Sequence, residues 1–357
     1  MKYYILSYIL ALLSSPLAAQ SHEPWFSFWN KDSTLVGFKD KNGVVKIEPK
    51  FNGFTTGLRF ENIIAVTEEI NGSWNSYYLT KTGRMIGKDS LHIFDNSTDF
   101  ENEGFIRFHD RKTDKVGMFN IKGDIAIPAT YNDITRVRNG MIIALTGAKK
   151  KQLGELYIWE GGRQLLIDTN NNVIIDNFQY DDRLNFYSLR ISSQPDKDTI
   201  RQNFKGVNGK FYSFINYNKE FRSWLKTALL DHFTKASLLN CSFKEITFWK
   251  EPAGWISEPK RSVIDRNFDL IKTKLTALNT KDCEYNIFDE SLNSFIYESA
   301  EYKNYFNDFG EPKDWVYPVK NLVISYKDKF EQDHFEFLRT ENGYRLISIH
   351  LANGKLR

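Results

Sequence analysis

The sequence has little of the residue types and motifs that mark several classes of protein. It contains only two cysteines, Cys241 and Cys283, and its six histidines have no metal-ligand spacing, so a zinc site is not indicated. The formal net charge is +3, which leaves no concentrated basic face for nucleic acid. Phosphate-binding loops, nucleophile elbows and zinc-protease motifs are absent. These absences give no catalytic residue, metal or cofactor, and they favour a non-enzymatic protein.

Long hydrophobic runs are also missing, apart from a short run at the N-terminus. Lys2 precedes apolar sequence from Tyr3 to Leu13, and the small residues of "SSPLAAQS" follow. A run of about 11 residues is short of the roughly 20 that span a bilayer, which favours a cleaved signal peptide over an anchor. We expect residues 1–19 to be removed, by cleavage after Ala18 or Ala19. The mature protein is then periplasmic or secreted, with no integral membrane segment and no cysteine placed for lipid attachment.

The two cysteines leave two alternatives open. In an exported protein Cys241 and Cys283 can form a disulfide. They can equally remain two separate thiols, because the sequence does not fix the distance between their Cα atoms.

What the sequence does contain is a repeat. "VGFKDKNGVVKIEPKFNGF", residues 36–54, and "VGMFNIKGDIAIPATYNDI", residues 116–134, superimpose with an offset of 80 positions. Half that offset reaches "YYLTKTGRMIG", and a degenerate copy is visible in "LLIDTNNNVIIDNFQYDD". A period of about 40 residues indicates a repeat architecture. The recurring turn positions are Gly37, Asp40, Gly43, Gly83, Gly117, Gly123, Asp168 and Asn171.

Each unit is predicted to contain three strands and no helix. Asn-Gly and related pairs supply the positive φ that a tight hairpin requires, and asparagine is the best substitute for glycine there. Because proline cannot donate to a strand ladder, we expect Pro49 and Pro128 to end the second strand. Segments such as "NIIAVTEE" and "GMIIALTG" supply the third strand.

This pattern resembles the WG-repeat family of bacterial proteins over about residues 34–190. Its units have the form Trp-Gly-h-h-Asp-x-x-Gly-x-h-h-Ile-Pro-x-x-Tyr-Asp, where h is hydrophobic. The matching positions here include Gly37, Asp40, Gly43, Gly117 and Gly123, whereas the signature tryptophan is replaced by valine. The resemblance implies an exported β-repeat array, propeller-like or solenoid, that serves as a scaffold or binding surface and has no catalytic residues.

The second half has a different composition. Polar sequence near residues 192–202 indicates a boundary, so residues 193–217 are predicted as a linker or last hairpin between a repeat domain, 20–192, and an α+β domain, 218–357. Three helices are predicted, capped by Asn218, Ser262 and Asp289, and three strands follow them. The closing "FEFLRTENGYRLISIHL" resembles the last hairpin of NTF2-like domains, which implies a curved sheet around a pocket.

Two functions follow from these features. The first is a non-enzymatic binding or scaffold module of the cell envelope that binds protein or glycan through its repeat surface. The alternative is a small-ligand binder or enzyme with its site in a C-terminal cone. An interior filled by Phe243, Phe248, Phe335 and Phe337 contradicts the alternative. The basic run Lys149–Lys151 is predicted as a solvated turn.

Overall fold

The computed structural model describes residues 23–94, 97–154, 156–279, 283–307, 310–327, 330–352 and 356. The predicted signal peptide, residues 1–19, lies outside the described residues. Within these ranges no helix combines the length and the apolar character needed to cross a membrane.

The protein is mainly β, as the sequence predicted, with 50% of residues in strands, 14% in helices and one sheet curled into a half-barrel. The strands up to residue 216 are β1 (Trp25–Trp29), β2 (Leu35–Lys39), β3 (Val45–Asn52), β4 (Arg59–Phe60), β5 (Ile63–Ile70), β6 (Ser73–Thr80), β7 (Met85–Ile86), β8 (Ile93–Phe94), β9 (Ser97–Thr98), β10 (Phe105–Asp110), β11 (Lys115–Asn120), β12 (Ile125–Tyr131), β13 (Asp133–Ile134), β14 (Met141–Thr146), β15 (Lys149–Leu153), β16 (Leu156–Glu160), β17 (Arg163–Asp168), β18 (Val173–Ile175), β19 (Leu184–Ser192), β20 (Arg201–Lys205) and β21 (Phe211–Asn216).

Helices begin only after β21. The remaining elements are α1 (Tyr217–Trp224), a π-helical turn (Leu225–Leu230), α2 (Lys235–Asn240), β22 (Ser242–Lys250), β23 (Gly254–Pro259), α3 (Lys260–Thr276), a 3-10 turn (Ala277–Asn279), β24 (Cys283–Glu290), a second 3-10 turn (Ala300–Tyr305), β25 (Val319–Tyr326), β26 (Gln332–Thr340) and β27 (Gly343–His350).

The same turn geometry recurs at four positions in the first half. In the first turn the N–H of Gly43 donates to Asp40 O at 3.0 Å, and the N–H of Asp40 donates to Val44 O at 3.0 Å. The carboxylate Oδ1 of Asp40 accepts two further backbone N–H groups. The fourth turn residue always has positive φ: 83° at Gly43, 84° at Gly83, 78° at Gly123 and 65° at Asn171. A fifth such turn, which the sequence analysis missed, runs from Gly206 to Lys210.

The strand after the turn runs through its proline, so the predicted stop was wrong. β3 contains Pro49, and β12 contains Pro128. The pairing of β2 with β3 shifts register between Val36 and Phe38, at Gly37, and again between Phe38 and Lys39, which marks a bulge. A Cβ on Gly37 would lie 2.6 Å from the backbone N of Pro49. The glycine lets the two backbones approach closely, and the proline occupies the bulge, where the ladder is already irregular.

Each sheet combines the end of one predicted unit with the beginning of the next. The third strands β5, β10 and β14 pair with β6, β11 and β17, which open the following units. The resulting sheets have the orders β4-β1-β2-β3-β5-β6-β7, β10-β11-β12, β13-β14-β17-β18 and β19-β21-β20. A single unit therefore cannot complete a sheet alone.

Hydrophobic clusters lie between successive sheets. One joins Tyr78 to Phe108 and Phe119, the next joins Met118 to Ile142, and a third continues from Leu166 to Phe214. Each sheet thus packs mainly on its neighbours in the chain, as in proteins built of stacked repeats.

The second half contains a six-stranded sheet of order β23-β22-β27-β26-β25-β24. The three helices cover one face, and Phe248, Phe335 and Phe337 fill the space between them with at most 1% exposure. Phe243 lies on the opposite face, stacked on Tyr302 at 4.6 Å. The segment between β24 and β25 covers part of that opposite face through Leu292, Tyr297 and Tyr302.

The predicted helix caps were wrong. Asn216, the last residue of β21, caps α1 by accepting the N–H groups of Asn218 and Lys219. α3 begins at Lys260, before Ser262, without a side-chain cap. The predicted third helix is absent from the described residues: Asp289 lies in β24, opposite Lys320, and a 3-10 turn follows. The hydrophobic residues of this segment cover a sheet and happen to fall at helical spacing. The sequence analysis also missed α2, whose capping box is formed by Thr234 and Ser237.

Both cysteines are free thiols in the structure. Cys241 is buried, with Sγ 3.5 Å from Ala228 O, and Cys283 is half-buried, with Sγ 2.9 Å from Ala277 O. The structure therefore contains the two separate thiols rather than the disulfide.

Candidate functional site

Asparagines join successive sheets along one rim of the first half. Asn62 Nδ2 donates to Glu101 at 2.8 Å, Asn102 Nδ2 to Val137 O at 2.7 Å, and Asn139 Nδ2 to Phe186 O at 2.9 Å. Each asparagine lies just before or near the start of a long strand and reaches toward the next unit. The amides tie the units together at the edge where the candidate site opens.

Two carboxylates strengthen the same rim. Glu101 accepts the N–H groups of Asn62 and Ile63 at 2.7 and 2.9 Å, and burial raises the pKa of this carboxyl. Glu103 accepts the N–H groups of Asn139 and Gly140 at 2.7 and 2.8 Å. Because these oxygens already hold backbone groups, both carboxylates have structural partners.

Arginines line the rim beside them. Arg136 Nε donates to Asp99 at 2.8 Å, and its guanidinium lies 3.5 Å from the ring centre of Phe100. Burial opposes ionisation of Asp99, but Arg107 and Arg136 hold the pKa of this carboxyl well below its usual range. Arg138 contacts Tyr180 and lies 5.8 Å from the ring centre of Trp315. Among the described carboxylates, none forms an ion pair with Arg138.

Two cavities of about 370 and 520 Å³ meet at Arg138 and Trp315, and we call them together the Arg138 cleft. Their volumes fall within the range of ligand pockets. The first is lined by the rim described above and also by Asn307. The second lies between the rim of the first half and the end of β24 with the segment that follows it. Its lining is Arg138, Tyr180, Asp182, Arg183, Tyr217, Asp289, Glu290, Ser291, Pro312, Asp314, Trp315 and Pro318.

The two ends of the cleft differ in charge. At the first end Glu101 and Glu103 are bound to backbone amides, Arg59 forms an ion pair with Glu61, and Arg136 forms one with Asp99. Arg138 is thus the arginine that faces a ligand there. At the second end acidic side chains outnumber basic ones, and burial raises the pKa of Asp314. Aromatic and proline side chains form the walls between these ends.

Among the residues that the structure describes, the cleft lining contains no histidine or cysteine, and the hydroxyl of Ser291 is bonded to Asp314. An activated nucleophile requires an adjacent base, and this lining does not provide the pair. In the parts of the chain that the structure describes, no group of three or more His, Cys, Asp or Glu side chains is placed to hold a metal ion.

The lysine run forms a strand, not the predicted turn. Lys149–Leu153 and Leu156–Glu160 pair as a two-stranded arm that protrudes between β14 and β17. Lys150 makes an ion pair with Asp114 at 2.7 Å and lies 4.1 Å from the ring centre of Tyr157. Because lysine stems pack on aromatic rings, the run is held in extended form.

The turn residues predicted from the sequence lie apart from the cleft. None of Gly37, Asp40, Gly43, Gly83, Gly117, Gly123, Asp168 and Asn171 is in its lining. Arg138 and Trp315 were missed because they lie far apart in the chain. Asn62 and Asn102 are separated by one repeat period, and this spacing is the sequence pattern from which the rim could have been predicted.

Comparison with known proteins supports a WG repeat. The model of the WG containing repeat family matches residues 117–149, from the middle of β11 to the start of β15. No curated protein and no solved structure matches the chain. The matched segment contains the turn at Gly123, the bulge at Gly117 and the rim residues Arg136, Arg138 and Asn139. Two arginines of the cleft, Arg136 and Arg138, therefore lie in the segment that matches the WG repeat.

Proposed function

We propose that the protein is an exported, non-enzymatic repeat protein of the bacterial cell envelope that holds a peptide segment of a partner protein in the Arg138 cleft. The observation that carries this proposal is that the rim of the first half and the segment after β24 both contribute to one cleft. Its two ends differ in charge and its walls are aromatic, which fits an extended peptide that carries side chains of both signs. Ligand sites are common where two packed parts of a chain meet.

The architecture we propose has two domains. Residues 20–192 form a repeat array of three-stranded units, and residues 218–357 form an α+β domain. The recurring turns, the sheets shared between units and the clusters between sheets support the array. The helices packed on one face of the six-stranded sheet support the second domain.

The packed interior of the second half argues against the alternative function. A ligand site inside a cone requires space between the sheet and its helices. Phe248, Phe335 and Phe337 occupy that space, although Phe243 does not join them.

The binding proposal is tested with three forms of the mature chain: wild type, Arg138→Glu/Trp315→Ala, and the control Trp74→Ala/Arg111→Glu. The control changes the same residue types on exposed strands and turns away from the cleft. Each form is immobilised and exposed to envelope extract, and bound proteins are identified by mass spectrometry. We expect a partner retained by wild type and control and lost from the cleft variant, and peptides from that partner should compete. Equal retention by all three forms contradicts the proposal.

Export is tested separately. The full chain is expressed in a bacterial host, the cells are fractionated, and the N-terminus is sequenced. We expect an envelope or medium fraction in which the chain begins at Ala19 or Gln20. An intact Met1 in the cytoplasm contradicts export.

A further inference from the structure

The face of the six-stranded sheet that is opposite the helices, and that the segment after β24 covers only in part, contains two adjacent rows of mainly polar and aromatic side chains. In the register of the strands, one residue of each strand lies beside one residue of the neighbouring strand. The first row is Ser257, Thr247, Ser348, Glu336 and Asn321. The second row lies two residues along each strand on the same face and consists of Trp255, Trp249, His350, His334 and Val323. The opposite face carries the phenylalanine-filled core, so these rows belong to a different surface.

Asn321 has an unsatisfied acceptor in this surface. Its side chain is 6% exposed, and its Nδ2 is 3.3 Å from His334 Nδ1. Its Oδ1 is buried and has no hydrogen-bond partner among the described residues. An unpaired buried carbonyl oxygen is costly, and native structures retain few of them. A ligand that donates a hydrogen bond to Oδ1 removes that cost.

The neighbours of Asn321 extend the same polar site. Tyr297 donates its hydroxyl to Glu336 at 3.0 Å, and burial raises the pKa of that carboxyl. If Asn321 donates to His334 Nδ1, the proton of His334 is on Nε2. The His334 and His350 rings are 6.0 Å apart. The part of the two rows around Asn321 thus offers hydrogen-bond acceptors and donors close together.

An exposed tryptophan pair forms one end of the second row. Trp249 and Trp255 are directly opposite each other on β22 and β23, with ring centres 5.7 Å apart, and are 48% and 44% exposed. The ring of His350 lies 6.2 Å from that of Trp255. Large exposed aromatic rings cost free energy in water and commonly mark a binding surface.

The charge of the two rows restricts the ligand. They contain no lysine or arginine, and Glu336 is the one carboxyl in them, so an anion has no fixed positive partner. A carbon ring that carries hydroxyl groups matches both the polar and the aromatic side chains of the rows. Its hydroxyls donate and accept hydrogen bonds, and its ring carbons present an apolar face to tryptophan.

The strand order β23-β22-β27-β26-β25 separates Asn321 from Trp255 by four strand spacings, about 19 Å. We infer that this face binds a chain of sugar residues of a neutral glycan, with Asn321 and His334 bonding hydroxyls of one sugar and Trp255 stacking on the ring of another. The inference is independent of the Arg138 cleft, which shares no residue with it. Glycan binding here and peptide binding in the cleft can therefore fail separately.

The test uses calorimetric titration of the full mature chain with chitotetraose, maltotetraose and cellotetraose. Spermidine and inorganic phosphate serve as amine and anion probes. We expect one oligosaccharide to bind with a dissociation constant of about 1 mM or tighter, a range typical of small interfaces. Trp255→Ala should weaken that binding at least tenfold, and the control Trp74→Ala should leave it unchanged. Trp255 is exposed, so its replacement does not threaten folding.

Asn321→Leu provides a second readout. It should abolish binding and also raise the unfolding temperature by about 2–4 °C, because it removes an unsatisfied buried polar group. Binding of none of the three oligosaccharides overturns the inference. So does binding of spermidine or phosphate alone, or oligosaccharide binding that survives both substitutions.

Discussion

Glycine has two distinct roles in the repeats: it adopts a positive φ in the turns, and it allows a close approach of neighbouring atoms at the bulges. Substitution by asparagine distinguishes the two roles. Gly43 adopts a φ of 83° with open space around it, whereas a Cβ on Gly117 would lie 2.6 Å from Ile127 O and 2.7 Å from the Phe108 ring. We expect Gly43→Asn to lower the free energy of unfolding by less than about 1 kcal/mol, since asparagine tolerates the left-handed region, as Asn171 shows. We expect Gly117→Asn to cost about 3 kcal/mol or more through steric conflict.

Urea unfolding followed by circular dichroism measures both changes. Similar losses at the two positions would show that conformation, not backbone approach, explains both glycines.

His92 should make stability depend on pH. Burial, helped by Arg107, lowers its pKa to about 4, and its Nδ1 has no hydrogen-bond partner among the described residues. Since the unfolded chain binds this proton near pH 6.5, the unfolded state gains protons first as pH falls. The contribution is therefore complete above about pH 6.5 and is lost progressively toward pH 4, by about 2–3 kcal/mol.

His92→Gln should flatten that dependence. Glu101, whose pKa is raised, acts in the opposite direction over an overlapping range, so the informative quantity is the difference between wild type and variant. Parallel curves of unfolding free energy against pH would exclude the role of His92.

At the scale of elements, the arm should be removable. Thr146 pairs directly with Arg163, and Gly147 and Gly162 both have positive φ, so the strands β14 and β17 can be joined by a short loop. Deleting residues 149–161 keeps Ala148, whose backbone makes two hydrogen bonds with Asn132. We expect the unfolding temperature to change by less than about 4 °C, measured by differential scanning calorimetry.

A matched deletion of residues 148–161 supplies the control. It also removes Ala148 and leaves the buried Asn132 side chain unpaired, which should cost about 2 kcal/mol more. If the shorter deletion already prevents folding, the arm is part of the core.

The elements that sequence analysis identified are those specified by local chemistry. The turns at Gly43 and Gly123 could be predicted because a positive φ restricts the residue type directly. The segment after β24 could not, because Leu292 and Ile296 fall at helical spacing while covering a sheet. The rows that contain Asn321 and His334 depend on strand register, and a shift of one residue would move each side chain to the other face.

At the scale of the whole molecule, α1 connects the last strand of the first half to the six-stranded sheet. It follows β21 without a linker, and Glu220 accepts both Arg339 Nε at 2.8 Å and Arg339 Nη2 at 3.0 Å. The hydroxyl of Tyr344 also donates to Glu220, and the hydroxyl of Tyr217 donates to Trp315 O. The position of Trp315 against Arg138 therefore depends on this helix.

Glu220→Ala should uncouple the halves. It leaves Arg339 largely buried without its carboxylate, at a cost of about 3–5 kcal/mol. We expect wild type to unfold in one calorimetric transition and the variant in two, with the six-stranded sheet melting first. Glu220→Leu combined with Arg339→Met should restore one transition. A single transition in Glu220→Ala would mean that other contacts couple the halves.

The sharing of each sheet between neighbouring units has a consequence for the order in which the chain can fold. During synthesis the chain leaves the ribosome N-terminus first, so the most recently made sheet is always incomplete. β10 has no partner until β11 is made, and β14 has none until β17 is made. Cutting the gene at a repeat boundary would leave such a strand with an exposed edge that invites aggregation. Stable fragments should instead end after β12, at Tyr131, or after β18, at Ile175, so the natural breakpoints of this molecule lie inside its sequence repeats.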